Sequence, residues 1–450
     1  MLLLKKAFLI SVCVFIATFA DILFFGCSCS RRVVMPSIEG PTLPKTPIYD
    51  FIFPAEPNSV YTLLVDINLD GKSYLIPEGV TIVQKKGVIK NGVLIGNGTI
   101  IKANNAIFDN VTIKGSWNVN KISTSLFKDL SYKNALRDVM ALTSPNVHND
   151  VIIEDGRYLF DAEKSNATLI KLCSNTNLIL NGTIETAPNS FKSYNIVSIE
   201  GNNIKVSGIG TIKGDKTSHV GTEGEWGMGI YISKSSNCKV TGITVRDCWG
   251  DCIYVGNGSN NIILSNLTLI NGRRQGISIT DGYNIKVTNT TITEVSGTSP
   301  GYAIDIEPNK QNHIRNVLIE NVTIRDCDGG FVVSVIHPKE ASVCGVTFNK
   351  CKVESVRDKY PLVLNKCTNI IVKKSIIGSC SHPYSCAISK VKSVELKYNV
   401  IYTKDVVIND ISNVSLIGNE VYGNSLYQEG IKSMLISKRN IHNNILNKTQ

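Results

Sequence analysis

Short runs of alternating apolar and polar residues recur along most of the chain, and a period of two predicts strands. From about residue 170 the runs come in units. Each unit starts with Asn, then an apolar residue or Cys, then any residue, then Val, Leu or Ile. The instances are "NIKVSG", "NCKVTG", "NIILSN", "NIKVTN", "NVLIEN", "NIIVKK" and "NVSLIG". Their first residues are Asn203, Asn237, Asn261, Asn284, Asn316, Asn369 and Asn413, at steps of 34, 24, 23, 32, 53 and 44 residues. The last two steps fit double turns, and the steps of 34 and 32 fit turns that carry loops. Stacked β-rich units of this size predict a solenoid, because no unit buries its apolar face without its neighbours. Asn suits the corner between strands, where it tolerates a left-handed backbone and its amide bonds along the stack.

A second strand in each coil aligns on an inward residue. Ile230, Ile253, Ile277, Ile304 and Phe331 line up in "MGIYIS", "DCIYVG", "QGISIT", "YAIDIEP" and "GGFVVS". The next, outward position reads Tyr231, Tyr254, Ser278, Asp305 and Val332; two further along it reads Ser233, Gly256, Thr280, Glu307 and Ser334. Residues 125–144 break the pattern. Leu126, Leu130, Leu136, Val139, Met140 and Leu142 fall near one face at helical spacing, which predicts a helix. Ahead of it, residues 46–124 form a β-rich region, and residues 28–45, with three prolines and no periodicity, read as a tether. Within 46–124, "DINLDGKSYLIPE" imitates a calcium loop through Asp66, Asn68, Asp70 and Gly71, but its twelfth position is Pro77, so strand-turn-strand is expected. The division is therefore a leader (1–27), a tether (28–45), an N-terminal β-rich region (46–124) and a solenoid (125–450).

The chain of 450 residues is 43% hydrophobic and 19% charged, enough to build a core. Its net charge of +10 suits an acidic polymer, but Lys and Arg are scattered, which argues against nucleic acid. Lys5 and Lys6 precede the apolar run Ala7–Ala20, and "LFFGC" follows, the order of a secretory signal. Gly26 before Cys27 resembles a bacterial lipoprotein cleavage site, with Cys27 lipidated. That predicts a secreted, periplasmic or cell-surface protein, with anchoring to the outer membrane or cell surface as one form. The alternatives are an ordinary signal peptide or an uncleaved anchor. Of 13 Cys, none outside the leader has metal-ligand spacing. Cys248, Cys327 and Cys351 suit strand ends, and Cys380 with Cys386 flanks a loop that a disulfide would close.

These repeats, and a helix followed by "VIIEDGRY", resemble the right-handed parallel β-helix of the pectin-lyase-like superfamily over roughly residues 130–430. The resemblance implies an all-β solenoid with a short N-terminal capping helix. It leaves the activity open, because that fold hosts hydrolases, lyases, epimerases, tailspikes and adhesins.

Candidate chemistry lies on one edge of three coils. Asp305 and Glu307 alternate with Ile304 and Ile306, so both carboxylates leave one face about 6.5–7 Å apart. That is near the spacing of two carboxylates in an inverting glycosidase, roughly 6.5–9.5 Å. Their expected neighbours up and down the stack are small, which implies an open polar groove with no cation directly above or below. One coil earlier, "NGRRQGIS" places Arg273, Arg274 and Gln275 at the strand entry, and arginine forks match carboxylates and sulfates. Earlier still come Asp251 and Trp249, then a Gly-rich loop (214–229) with His219, Glu225 and Trp226. Trp226 and Trp249 fall at equivalent places in consecutive coils, where they serve either as exposed indoles on which sugars stack or as packing between coils. "WGDCIYVG" and "RQGISI" are similar to the paired-aspartate strand and the following turn of the polygalacturonase branch. Only Asp251 carries over; Gly250 replaces one acid, and Gln275 stands where that branch has His.

Three functions follow. In a glycoside hydrolase on an acidic polysaccharide, Asp251, Asp305 and Glu307 supply acid and base and no cofactor is needed. In a polysaccharide lyase, Arg273, Arg274 or His219 supplies the base, with calcium held by Asp305 and Glu307. In a non-catalytic surface protein, the same groove binds glycan.

Overall fold

Asparagine makes the corners. Asn203, Asn237, Asn261, Asn284, Asn316 and Asn369 all have φ between 52° and 58°. Asn tolerates this region because its short amide bonds locally. Here the amide bonds to the next coil instead. Nδ2 of Asn203 donates to Oδ1 of Asn175 (3.1 Å), and the ladder continues through Asn237 (3.5 Å), Asn261 (3.1 Å), Asn284 (3.0 Å) and Asn316 (2.7 Å). A second ladder, Asn266 to Asn289 to Asn321, marks another corner with bonds of 3.2 and 2.8 Å. Asn413 instead opens the strand Asn413–Ile417.

The computed structural model describes residues 55–378, 386–402, 405–422, 425–429 and 433–436. The leader with Cys27, the tether and Cys380 lie outside the described residues. Each coil has three short strands, as in Ser236–Thr241, Thr244–Arg246 and Ile253–Gly256. The first two join a 22-stranded sheet and the third an 11-stranded one. The inward rows of Ile, Val and Leu from every coil meet in one continuous core. In the smaller sheet the register is Ile230, Ile253, Ile277, Ile304, Phe331, all parallel, as the alternation predicts. Cys248, Cys327 and Cys351 are buried at strand ends, each within reach of the carbonyl two residues back.

Parallel pairing begins well before residue 125. Val60–Leu63 pairs with Thr81–Gln84, which pairs with Ile89–Lys102, and Phe108–Trp117 follows. In the calcium-like stretch, Ile67–Asn68 and Ser73–Leu75 are strands joined through Asp70 and Gly71 at positive φ, and Asp66 pairs with Lys90 at 2.7 Å.

The helix is far shorter than its spacing implies: Leu136–Met140, after a 3-10 turn at Thr124–Leu126. Local polar bonds compete with it. The Asp129 carboxylate accepts from Ser131 N at 2.8 Å, and Asn134 turns left-handed (φ 61°) to bond Asp161 N and Glu163. What survives is a buried plug whose Asp138 accepts from Ile113 N (2.8 Å) and Tyr132 Oη (2.7 Å). The Gly-rich loop is also shorter than expected, since a strand starts at Trp226. No helix among the described residues is long and apolar enough to cross a membrane.

Candidate active site

The outer face of the smaller sheet carries the row Tyr231, Tyr254, Ser278, Asp305, Val332. Neighbours in a row sit ~4.8 Å apart. The two tyrosine rings stack at 5.2 Å and 13°. Glu307 follows just past the end of the strand Tyr302–Ile306, its backbone N–H still bonded to the Ile279 carbonyl at 3.0 Å. This face is not the open groove that the alternation implies. Asp305 is 5% exposed, Ser278 is buried and Glu307 is half-buried.

Gln275 and Arg274 reach these acids from the turn ahead of Ile277–Ile279. Gln275 Nε2 donates to Asp305 Oδ2 at 2.7 Å, while its Oε1 accepts from Tyr302 N at 2.9 Å. The second bond fixes which end of the amide faces the acid. Gln275, expected among the substrate contacts, is fully buried and orients Asp305. Arg274 Nη1 lies 3.5 Å from Asp251 Oδ2, and its Nε lies 3.8 Å from Glu225 Oε2. The acids therefore do have a cation beside them, reaching in from a turn rather than from the row above or below. Burial pulls the Arg274 guanidinium down, but the fields of Asp251, Glu225, Asp305 and Glu307 outweigh it and leave its pKa above the ordinary value.

The carboxyls move the other way. Burial pushes Asp305 well above the usual carboxylate range; Glu307 and Asp251 add to this and Arg274 opposes it. Burial lifts Glu307 to about 7 against the pull of Arg274. Asp251, fully buried, is raised by burial with Arg274 opposing and Glu225 adding. Several buried polar atoms here have no hydrogen-bond partner: Asp251 Oδ1, Asp305 Oδ1, Ser278 Oγ, Arg274 Nε and Trp249 Nε1. Each such group costs about 1–3 kcal/mol. A cluster of them calls for water or another partner from outside the chain.

The remaining predicted residues hold the 214–225 loop. Trp249 is only 6% exposed, so it is no stacking platform. Arg273 lies 3.7 Å above its ring, and the His219 imidazole stacks on it at 3.7 Å and 13°. Arg273 donates to the Thr222 carbonyl at 2.8 Å and to the Gly224 carbonyl. His219 Nδ1 meets Asp215 Oδ2 at 2.8 Å, and Asp215 also accepts from Asn189 Nδ2 (2.8 Å) and Tyr194 Oη. Trp226, next to Glu225, is 44% exposed and is the indole that a ligand can reach.

The structure thus brings Asp251, Glu225, Arg274, Gln275, Asp305 and Glu307 together, and sets His219, Trp249 and Arg273 behind them as support. Sequence reasoning passed over Ser278, Tyr231 and Tyr254 as site residues, although the aligned outward row carried the signal. Tyr254 Oη is hydrogen-bonded to Thr280 Oγ1 (2.7 Å), and Tyr231 Oη accepts from Asn257 Nδ2 (3.0 Å). Among the described residues no three His, Cys, Asp or Glu side chains are arranged to hold a metal ion.

The family described as "Right handed beta helix region" matches residues 170–335. The fold is a right-handed parallel β-helix. Two curated relatives come from Bacillus subtilis (strain 168). The SPbeta prophage-derived uncharacterized protein YorA is 23% identical to this β-helix over 242 residues, covering 47% of this chain and 41% of its own. The uncharacterized protein YclG is 28% identical over 209 residues, covering 40% and 35%. The chain therefore spans less than half the length of the curated relatives it matches. Among solved structures, the tailspike protein of E. coli bacteriophage HK620 in complex with a pentasaccharide gives a TM-score of 0.51 at 15% identity, over 66% of this chain and 60% of that one. At that identity the likeness concerns the fold.

Proposed function

We propose that this β-helix is a glycoside hydrolase acting on a polysaccharide, with Asp305 as proton donor and Glu307 as the base that activates water. One observation carries the reading. Asp305, raised well above the usual carboxylate range by burial and with Oδ1 unpaired, stands two residues from Glu307, whose pKa is about 7. Burial lifts both carboxyls out of the usual carboxylate range, toward the neutral pH at which a general acid and a general base work. Extended backbone sets their Cα atoms roughly 6.5–7 Å apart, close to the lower end of the carboxyl spacing of an inverting pair, which supports inversion. Asp305 gives its proton to the glycosidic oxygen as the C–O bond breaks. Water attacks the opposite face of the anomeric carbon and passes a proton to Glu307. Arg274 opposes the burial that raises Asp251 and supplies the positive charge beside all of these acids.

The fold likeness to a tailspike solved with a pentasaccharide supports a saccharide as ligand. The commitments of the three candidate lyase bases support hydrolysis over elimination. Arg274 has a raised pKa and pairs with two carboxylates, Arg273 is bound to loop carbonyls, and His219 is enclosed between Asp215 and Trp249. The leader supports export with Cys27 as lipid anchor; a Cys27→Ser variant should move from the membrane fraction to the soluble one. The activity is tested by following reducing ends and unsaturated-uronate absorbance together on a polysaccharide panel. Reducing ends alone, lost in Asp305→Asn and in Glu307→Gln, are expected.

A further inference from the structure

The net charge of +10 favours a polyanion, yet the charge around the acid pair has the opposite sign. Glu225, Asp251, Asp305 and Glu307 converge on a single guanidinium, and Arg274 is the one cation whose field registers at Asp305 and Glu307. Arg274 is spent on Asp251 and Glu225, with its side chain only 18% exposed. Arg273 is spent on two loop carbonyls and the Trp249 ring. Lys359, close to Gly301, donates to the Pro300 carbonyl at 2.9 Å and lies 4.0 Å from Asp328. Lys310, three residues past Glu307, lies on the exposed side and pairs with Glu340 at 3.6 Å. No guanidinium or ammonium among these is left to receive a sugar carboxylate. The unpaired atoms on the acids themselves, Asp251 Oδ1 and Asp305 Oδ1, are oxygens that a sugar hydroxyl meets and a sugar carboxylate does not.

Distance decides which charge matters. Scattered surface lysines beyond about 10 Å are screened in physiological salt, whereas buried neighbours are not. We infer that the sugar seated between Asp305 and Glu307 is uncharged, and that the site takes a neutral glycan and rejects uronates. This rests on the reading of Asp305 and Glu307 as an acid–base pair. A uronate carboxylate about 5 Å from one unpaired ionised acid, at an effective dielectric near 20, is disfavoured by about 100-fold or more.

The test offers polygalacturonate and alginate, each native and after carboxyl reduction, together with neutral glucans and galactans. Cleavage is read as reducing ends with the wild-type chain. Binding is read as retardation of the Asp305→Asn variant in gels containing each polymer. Reducing ends from neutral or carboxyl-reduced polymers, at least about 100-fold faster than from any native uronate polymer, are expected. Cleavage of a native uronate polymer within tenfold of its reduced form overturns the inference and leaves the hydrolase standing. Retardation by neutral polymers alone, without reducing ends from the wild type, keeps the inference and sinks the hydrolase. Retardation by native uronates that persists in 0.5 M salt also overturns the inference.

Discussion

Replacing Glu307 with Gln removes an ionisation that the fold resists. The carboxyl titrates at 4.5 when unperturbed and at about 7 in the folded chain, with burial as the main cause. The folded state therefore holds this proton more tightly than the unfolded state. The resulting stability is fully present below pH 4.5, and it is lost as pH rises through about 7. A shift of this size corresponds to roughly 3 kcal/mol by pH 8, at 1.36 kcal/mol per pKa unit. Glutamine has nearly the same shape and stays neutral, so the variant does not suffer this loss. Thermal unfolding of both chains between pH 4 and pH 8 reads the effect. The melting temperatures should coincide at pH 4 and separate above pH 5, with the variant higher by several degrees at pH 8. Parallel curves across that range would refute the argument, since they would mean that Glu307 is solvated as an ordinary surface acid. A variant that melts lower at pH 8 would mean that the ionised carboxylate stabilises the fold.

Three further outcomes follow from particular contacts. Arg274→Met strips the counter-charge from Asp251 and Glu225, and should cost about 3–5 kcal/mol at pH 8 and less as the pH falls, since burial raises the Asp251 pKa; unfolding across that range checks it. Arg273→Ala frees the Thr222 and Gly224 carbonyls, so limited proteolysis should cut within 214–225 at least about tenfold faster while the coils stay intact. Asn261→Ala breaks the bonds to Asn237 and from Asn284 and puts a Cβ-bearing residue without a local bond at φ 53°, which should cost about 2 kcal/mol in urea unfolding; Asn261→Gly should recover part of that.

The solenoid was legible because its determinants are local. The Asn corners follow from one residue type at a fixed place in a unit. The strand register follows from alternation, since a slip of one residue would turn every isoleucine outward. That is why Ile230, Ile253, Ile277, Ile304 and Phe331 align as their pattern implies. The site was only half legible. Alternation shows which face Asp305 leaves, but not what folds over that face. The reach of Arg274 and Gln275 depends on the path of a turn, and strand periodicity carries no information on that path. Trp249 reads as exposed in a repeat and is buried, because a loop inserted one coil earlier brings His219 onto it. The helix over 125–144 failed for the converse reason: its apolar spacing is helical, but Asp129 and Asn134 bond the backbone in ways a helix cannot accommodate.

The buried acids around Arg274 are proposed to hydrolyse a glycosidic bond. The most direct test is a product assay on a broad polysaccharide panel, with the wild type and Asp305→Asn side by side. Reducing ends and the ultraviolet absorbance of unsaturated uronates are followed in the same samples. The account predicts reducing ends without absorbance from the wild type, with a fall of at least about 100-fold in Asp305→Asn. Reducing ends that rise together with absorbance, or that persist undiminished in Asp305→Asn, would contradict it.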